Sequence, residues 1–141
     1  EAPQNLGAIA RSVDGAGGHG LVIPERRAAG VSPGAIRASA GALQHVPVSR
    51  VVNLSRALDE IKAAGVWTVG LDGDADQNYT DIDMTGPVAL IIGSEGDGMS
   101  RIIREKCDFL TSLPLKGQIE SLNASVTAGI MLYEALRQRN L

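Results

Sequence analysis

Apolar positions follow two rhythms along this chain. Leu6, Ile9, Ala10 and Val13 recur at three-to-four spacing and predict a helix from Asn5 to Ala16, stopped by Gly15, Gly17 and Gly18. His19-Gly20-Leu21-Val22-Ile23 instead reads as a short buried strand ended by Pro24. The two patterns then alternate. Ser32-Pro33 predicts a helix start before Gly34 to Leu43, Val46 to Val52 a strand, and Ser55 the cap of a helix carrying Leu58 and Ile61 and ending at Gly65. Strands follow at Val66–Val69 and Val88–Ile92, a helix at Met99–Lys106, a strand at Phe109–Leu113, and a last helix from about Leu122 to Arg139. That helix carries Leu122, Val126, Gly129, Ile130, Tyr133 and Leu136 on one stripe. Apolar strands separated by helices predict one α/β domain over residues 1–141, with a mostly parallel sheet and helices on both faces. The acidic connector from Asp72 to Asp83 is long for such a fold, so it is expected to be mobile or functional.

Composition narrows the function classes. The 141 residues are 44% apolar and 21% charged, enough for a core and unlike a disordered segment. A single cysteine excludes a disulfide scaffold and fits a reducing, cytoplasmic setting. No stretch has the length of a membrane span, and a net charge of −3 argues against indiscriminate polyanion binding while allowing a local RNA-binding patch. Seventeen glycines exceed the usual share and cluster in loops, as expected where backbone approaches a ligand.

Several motifs carry no chemistry on inspection. Gly15 to Gly20 spells G-x-G-x-x-G but follows a helix and precedes a strand, the reverse of a dinucleotide site, so it reads as a helix stop and tight turn. Asp72-Gly73-Asp74-Ala75-Asp76 opens like a calcium loop, yet Gln77 stands where the turn needs glycine. His19 and His45 lack ligand spacing, Cys107 reads as a small half-buried side chain, and Arg26-Arg27 as a solvated pair; no metal is expected. Two loops are better placed. Gly93-Ser94-Glu95-Gly96-Asp97-Gly98 and Leu113 to Asn123 each follow a strand and lead into a helix, where open α/β sheets bind ligands. Ser121 and Asn123 can cap the last helix or face a ligand, and Pro3-Gln4-Asn5-Leu6-Gly7 puts an amide at a helix start with Arg11 two turns on.

Together, P-x-N-x-G-x-x-x-R (Pro3 to Arg11), I-I-G-S-E-G-x-G-M (Ile91 to Met99) and L-P-L-x-G-x-I-E-S-L-N-A-S-V (Leu113 to Val126) resemble the three ordered motifs of the SpoU ribose 2'-O-methyltransferases, of the SPOUT class of S-adenosylmethionine enzymes. The resemblance covers nearly the whole chain and is strongest to the bacterial enzymes that methylate a guanosine of large-subunit (23S) rRNA. It implies an α/β fold with a C-terminal trefoil knot, which general topology rules would not suggest. It also implies a homodimer with the last helix in the interface and active sites built from both chains. S-adenosylmethionine would be held by Val69, Gly70, Leu71, Gly93, Ser94, Glu95, Leu113, Leu115, Ser121, Leu122 and Asn123.

The resemblance makes Arg11 the activating residue for a ribose hydroxyl, with Asn5, Glu95, Ser121 and Asn123 completing the site. A guanidinium keeps its proton, so Arg11 is expected to orient phosphate and steady the developing alkoxide rather than act as a free base. Asn5 and Asn123 would orient Arg11 or the ribose, and Glu95 would fix its loop and favour a cationic neighbour. Ala2 stands where the family has an acidic residue, and no strand precedes the first motif; the expected arrangement is a catalytic domain without its first strand or an RNA-recruiting N-terminal domain. The alternatives are a tRNA ribose methyltransferase, a nucleotide-binding oxidoreductase built on the glycine-rich turn, and a non-catalytic RNA-binding module.

Overall fold

The computed structural model describes residues 3–25, 33–93 and 99–140. Helix α1 (Pro3–Gly15) buries Leu6, Ala10 and Val13, the apolar face read from the sequence. Its end is a complete Schellman motif. Gly18 N–H donates to Val13 O at 2.7 Å and Gly17 N–H to Asp14 O at 3.1 Å, with Gly17 at φ +77°. The G-x-G-x-x-G run is therefore a helix stop, and its amides at Gly17 and Gly18 are spent on α1 rather than open to a phosphate.

Strand β1 (Leu21–Pro24) pairs in parallel with β2 (Val48–Val51), and between them α2 spans Pro33–Ser39. The predicted helix to Leu43 breaks early because Ala40 (φ +53°) and Gly41 (φ +89°) turn left-handed, leaving a short 3-10 turn at Ala42–Gln44. Helix α3 (Leu54–Ala63) is capped by Asn53, whose side chain accepts from Arg56 N–H at 3.0 Å; Ser55, the expected cap, lies inside the helix. Strands β3 (Trp67–Leu71), β4 (Val88–Ile91) and β5 (Phe109–Thr111) form a second parallel sheet in the order β4-β3-β5, with α4 (Arg101–Lys106) leading into β5 and α5 (Ala124–Arg139) following it. Among the described residues, five parallel strands thus fall into two sheets rather than one.

Period-two alternation divides the second sheet between two helical layers. Val69, Leu71, Val88, Leu90 and Phe109 meet Met131 and Ala135 of α5, together with Ile82 and Met84 of the connector. Ile91 and Leu110 meet Leu58 of α3 and Met99 and Ile103 beside and within α4. The core-facing side of α5 is Ala124, Thr127, Ala128, Met131, Glu134 and Ala135, while Val126 and Tyr133 of the bulkier stripe stay about half exposed. The small residues face inward because the sheet and connector already occupy that space.

The acidic connector is ordered by β5. Asp72 N–H donates to Thr111 O, Tyr79 N–H to Ser112 O and Ser112 N–H to Gln77 O, at 2.9, 3.1 and 3.0 Å. Its far end is gripped by α5: Gln138 accepts from Met84 N–H at 2.7 Å and donates to Ile82 O at 2.9 Å, and Arg139 donates to Met84 O at 3.0 Å. Glu134, buried beneath, accepts both Arg137 Nε and Nη2, at 2.8 and 2.9 Å.

At the amino-terminal edge of this sheet, Asp108 accepts from Thr68 N–H (2.8 Å) and Thr68 Oγ1 (2.9 Å), and Lys62 lies 3.6 Å away. These hydrogen bonds, led by the Thr68 amide, hold its carboxyl below the usual carboxylate range. A carboxyl that is more acidic folded than unfolded stabilises the fold above its unfolded value of about 3.9, and loses that contribution as pH falls through the folded value. Asp108→Asn is expected to flatten the decline in melting temperature below about pH 4, read from melts across that range.

Candidate active site

Register brings the strand exits together. β3 is the middle strand, with Gly70 opposite both Ile91 and Leu110, and Leu71 opposite Thr111. The chain therefore leaves β3, β4 and β5 along one edge, and Val69, Gly70, Leu71, Gly93 and Leu113 of the expected cofactor residues gather there. Val69 is fully buried, with Leu71 and Leu113 packed against it. Leu115 and Ser121 are exposed on the stretch after β5, and Leu122 is half-buried. Among the described residues, no peptide group from Leu113 to Leu122 pairs with another backbone group. Ser94 and Glu95, with Arg26 and Arg27, lie outside the described residues.

Asn123 is the cap of α5: its Oδ1 accepts from Ser125 N–H at 2.9 Å and Ser125 Oγ at 2.7 Å, which leaves its amide nitrogen as a donor. Ser121 takes no part in capping.

Gly70 has a packing reason of its own. A Cβ there would lie 2.7 Å from Cys107 Sγ and 3.0 Å from Met99 Cε, so the side of β3 turned to α4 is filled by protein. The glycine surplus read as ligand approach is, at this position, close packing. Burial pushes the Cys107 thiol up, and Sγ donates to Ile103 O at 3.4 Å, which fits a structural thiol rather than a nucleophile. Gly70→Ala should cost about 1–3 kcal/mol through overpacking. Adding Cys107→Ala should recover part of that loss, as measured by denaturant melts of the single and double variants.

Arg11 stands elsewhere on the surface. It lines a cleft of about 440 Å3 with Ser12, Asp14, Ser39 and Tyr133, between α1, the end of α2 and α5. Its side chain is exposed and, among the described residues, makes no hydrogen bond or ion pair. A Cβ at Gly129 would meet Ser12 Oγ at 3.3 Å and one at Gly15 would meet Tyr133 Oη at 2.7 Å, so α1 and α5 run side by side in the same direction. Their N-terminal turns, carrying half-buried Asn5 and the Asn123 cap, thus point the same way. Sequence reasoning missed Tyr133 as a cleft residue; its place on the outer stripe of α5 is the signal that was available.

Residues 1–133 match the model of the SpoU rRNA Methylase family. The chain belongs to this family. It is 53% identical over 137 residues to an uncharacterized tRNA/rRNA methyltransferase of Mycolicibacterium vanbaalenii, covering 97% of this chain and 44% of that protein. The SpoU methyltransferase AviRb of Streptomyces viridochromogenes, solved in complex with AdoMet, superposes with a TM-score of 0.93 at 37% identity, over 99% of this chain and 57% of AviRb. An AdoMet-bound rRNA methyltransferase of Sinorhizobium meliloti gives 0.90 at 32% identity, over 96% of this chain and 52% of that one. The chain thus spans about half the length of the curated relatives it matches. Membership sets aside a nicotinamide oxidoreductase, in agreement with the spent amides of the glycine turn. No helix among the described residues is long and apolar enough to cross a membrane.

Proposed function

We propose that this chain is the catalytic domain of an S-adenosylmethionine-dependent RNA ribose 2'-O-methyltransferase acting on a guanosine of large-subunit rRNA in the cytoplasm. The observation that carries the reading is the shared edge at which Leu71, Gly93 and Leu113 leave three adjacent parallel strands. The donor set there fits the cofactor. Leu71 and Leu113 offer apolar walls, and the unpaired peptide groups from Leu113 to Leu122 offer donors and acceptors for an adenine edge and a carboxylate. Val69, Gly70, Leu71, Gly93, Ser94, Glu95, Leu113, Leu115, Ser121, Leu122 and Asn123 would hold it, and when bound it supplies a methyl group on a cationic sulfur.

The rest of the chemistry falls to the chain's own side chains. A ribose hydroxyl is a weak nucleophile, so it needs orientation and stabilisation of the charge it develops. Arg11, unpaired at the mouth of its cleft, has the free guanidinium to hold the adjoining phosphate and steady that oxygen. Asn123, its Oδ1 engaged in the helix cap, keeps its NH2 for the ribose, and Ser121 adds a hydroxyl. Asn5 and Glu95 complete the proposed set.

A homodimer follows from the same reading. Val126 and Tyr133 are exposed on α5 beside the Arg11 cleft, a face that a second copy would cover in an active site built from both chains. The C-terminal trefoil knot belongs to the proposal as well.

Calorimetry with S-adenosylhomocysteine and transfer of labelled methyl to rRNA and tRNA transcripts test the proposal. Binding plus ribose methylation of an rRNA guanosine is the expected result. Methylation of tRNA alone would replace the substrate, binding without transfer to any RNA would favour the non-catalytic module, and a folded protein that binds no cofactor would overturn the whole reading.

A further inference from the structure

Asp72 lies outside all three motifs, one residue beyond Leu71 on the central strand, at the edge where the three exits meet. It is held from three directions. Its N–H donates to Thr111 O of β5 at 2.9 Å, its Oδ1 accepts from Asp74 N–H at 3.0 Å, and its Oδ2 lies 3.1 Å from Arg104 Nε of α4. Both carboxylate oxygens are therefore used, and the side chain is mostly covered, at 16% exposure, while Arg104 is 46% exposed. Helix α4 is the element entered from the glycine-rich loop after β4. The ion pair thus joins the turn after β3 to the helix that ends the second loop, above the Gly70–Met99 contact that packs the same two elements.

From this geometry we infer that Asp72 and Arg104 are positioning residues for the cofactor site: the pair holds the turn after β3 at a fixed distance from α4, beside the edge where the strands end. The inference rests on the S-adenosylmethionine reading given above. A partly exposed ion pair adds little to global stability, so its loss leaves the fold standing. The same pair restrains a site whose ligand contacts are peptide groups, and loosening such a frame raises the ordering cost of binding.

The test uses Asp72→Asn, Arg104→Gln, their double variant, and the exchange Asp72→Arg with Arg104→Asp. Each single variant is expected to weaken S-adenosylhomocysteine binding about 5-fold by calorimetry and to raise the cofactor KM alike, with kcat at saturation within about twofold. The double variant is expected to bind no worse than either single one, because the two changes remove one interaction, and Arg104→Lys to recover part of the loss. Melting temperatures should stay within about 2 °C of wild type. Single variants that bind like wild type, losses that add in the double variant, or affinity that falls only in step with melting temperature would overturn the inference. Wild-type protein that binds no cofactor would instead remove the reading beneath it, and the two failures are distinguishable by that control.

Discussion

Arg11→Ala is expected to lower methyl transfer on the order of 10²–10⁴-fold while leaving S-adenosylhomocysteine affinity unchanged. The split follows from where the residue stands. Arg11 lines the cleft between α1 and α5, whereas the cofactor edge is built from the exits of β3, β4 and β5. Its guanidinium has no protein partner among the described residues, so truncation leaves no orphaned charge and unravels no network. An exposed helical Arg→Ala change is neutral or mildly favourable for the helix itself. Single-turnover methylation beside calorimetry on the same preparations checks both halves. A variant that methylates at the wild-type rate removes Arg11 from the chemistry, and one that also loses cofactor affinity moves it to the binding edge.

The largest stability effect is expected at Met131. This side chain is fully buried where α5, the connector and β3 meet, against Val69, Ile82 and Met84. Met131→Ala deletes the contact between three elements at once and should cost about 2–5 kcal/mol. For a chain of this size each kcal/mol corresponds to a few degrees, so melting should fall by roughly 6–15 °C. Met131→Leu, which keeps the volume, should cost less than about 1.5 kcal/mol. Calorimetric melts of the two variants separate lost volume from lost side-chain shape. An Ala variant that melts with wild type would mean that α5 is not seated on Met131.

Elements were legible in the sequence where one side chain pattern decided them. The apolar runs at Val88–Ile91 and Trp67–Leu71 marked strands because they face a helix on each side, and Gly17 marked a helix end because the turn needs its positive φ. Pairing was not legible, since an apolar run records burial but not its neighbour; hence the one expected sheet is two among the described residues. The stripe on α5 was visible but its orientation was not. Nothing in its periodicity tells whether Val126 or Met131 meets the sheet, and the smaller face won because connector residues Ile82 and Met84 share that space. The connector's length suggested a mobile or functional segment, whereas its order comes from main-chain bonds to Thr111 and Ser112, which leave no trace in composition. The second and third motifs begin at or just past the ends of β4 and β5, and the first carries Arg11. The ion pair of Asp72 with Arg104 was not legible because it joins positions with no characteristic spacing.

The clasp made by Gln138 and Arg139 has a bearing on how the molecule is assembled. Both residues secure main chain at Ile82 and Met84, more than fifty positions earlier. During synthesis from the ribosome, that segment must wait for the end of α5 before it can settle, and closing so long a span is entropically slow. The main-chain groups of Ile82 and Met84 thus find these partners only once the final turn of α5 has been made, so shortening that turn is expected to leave them without their side-chain partners.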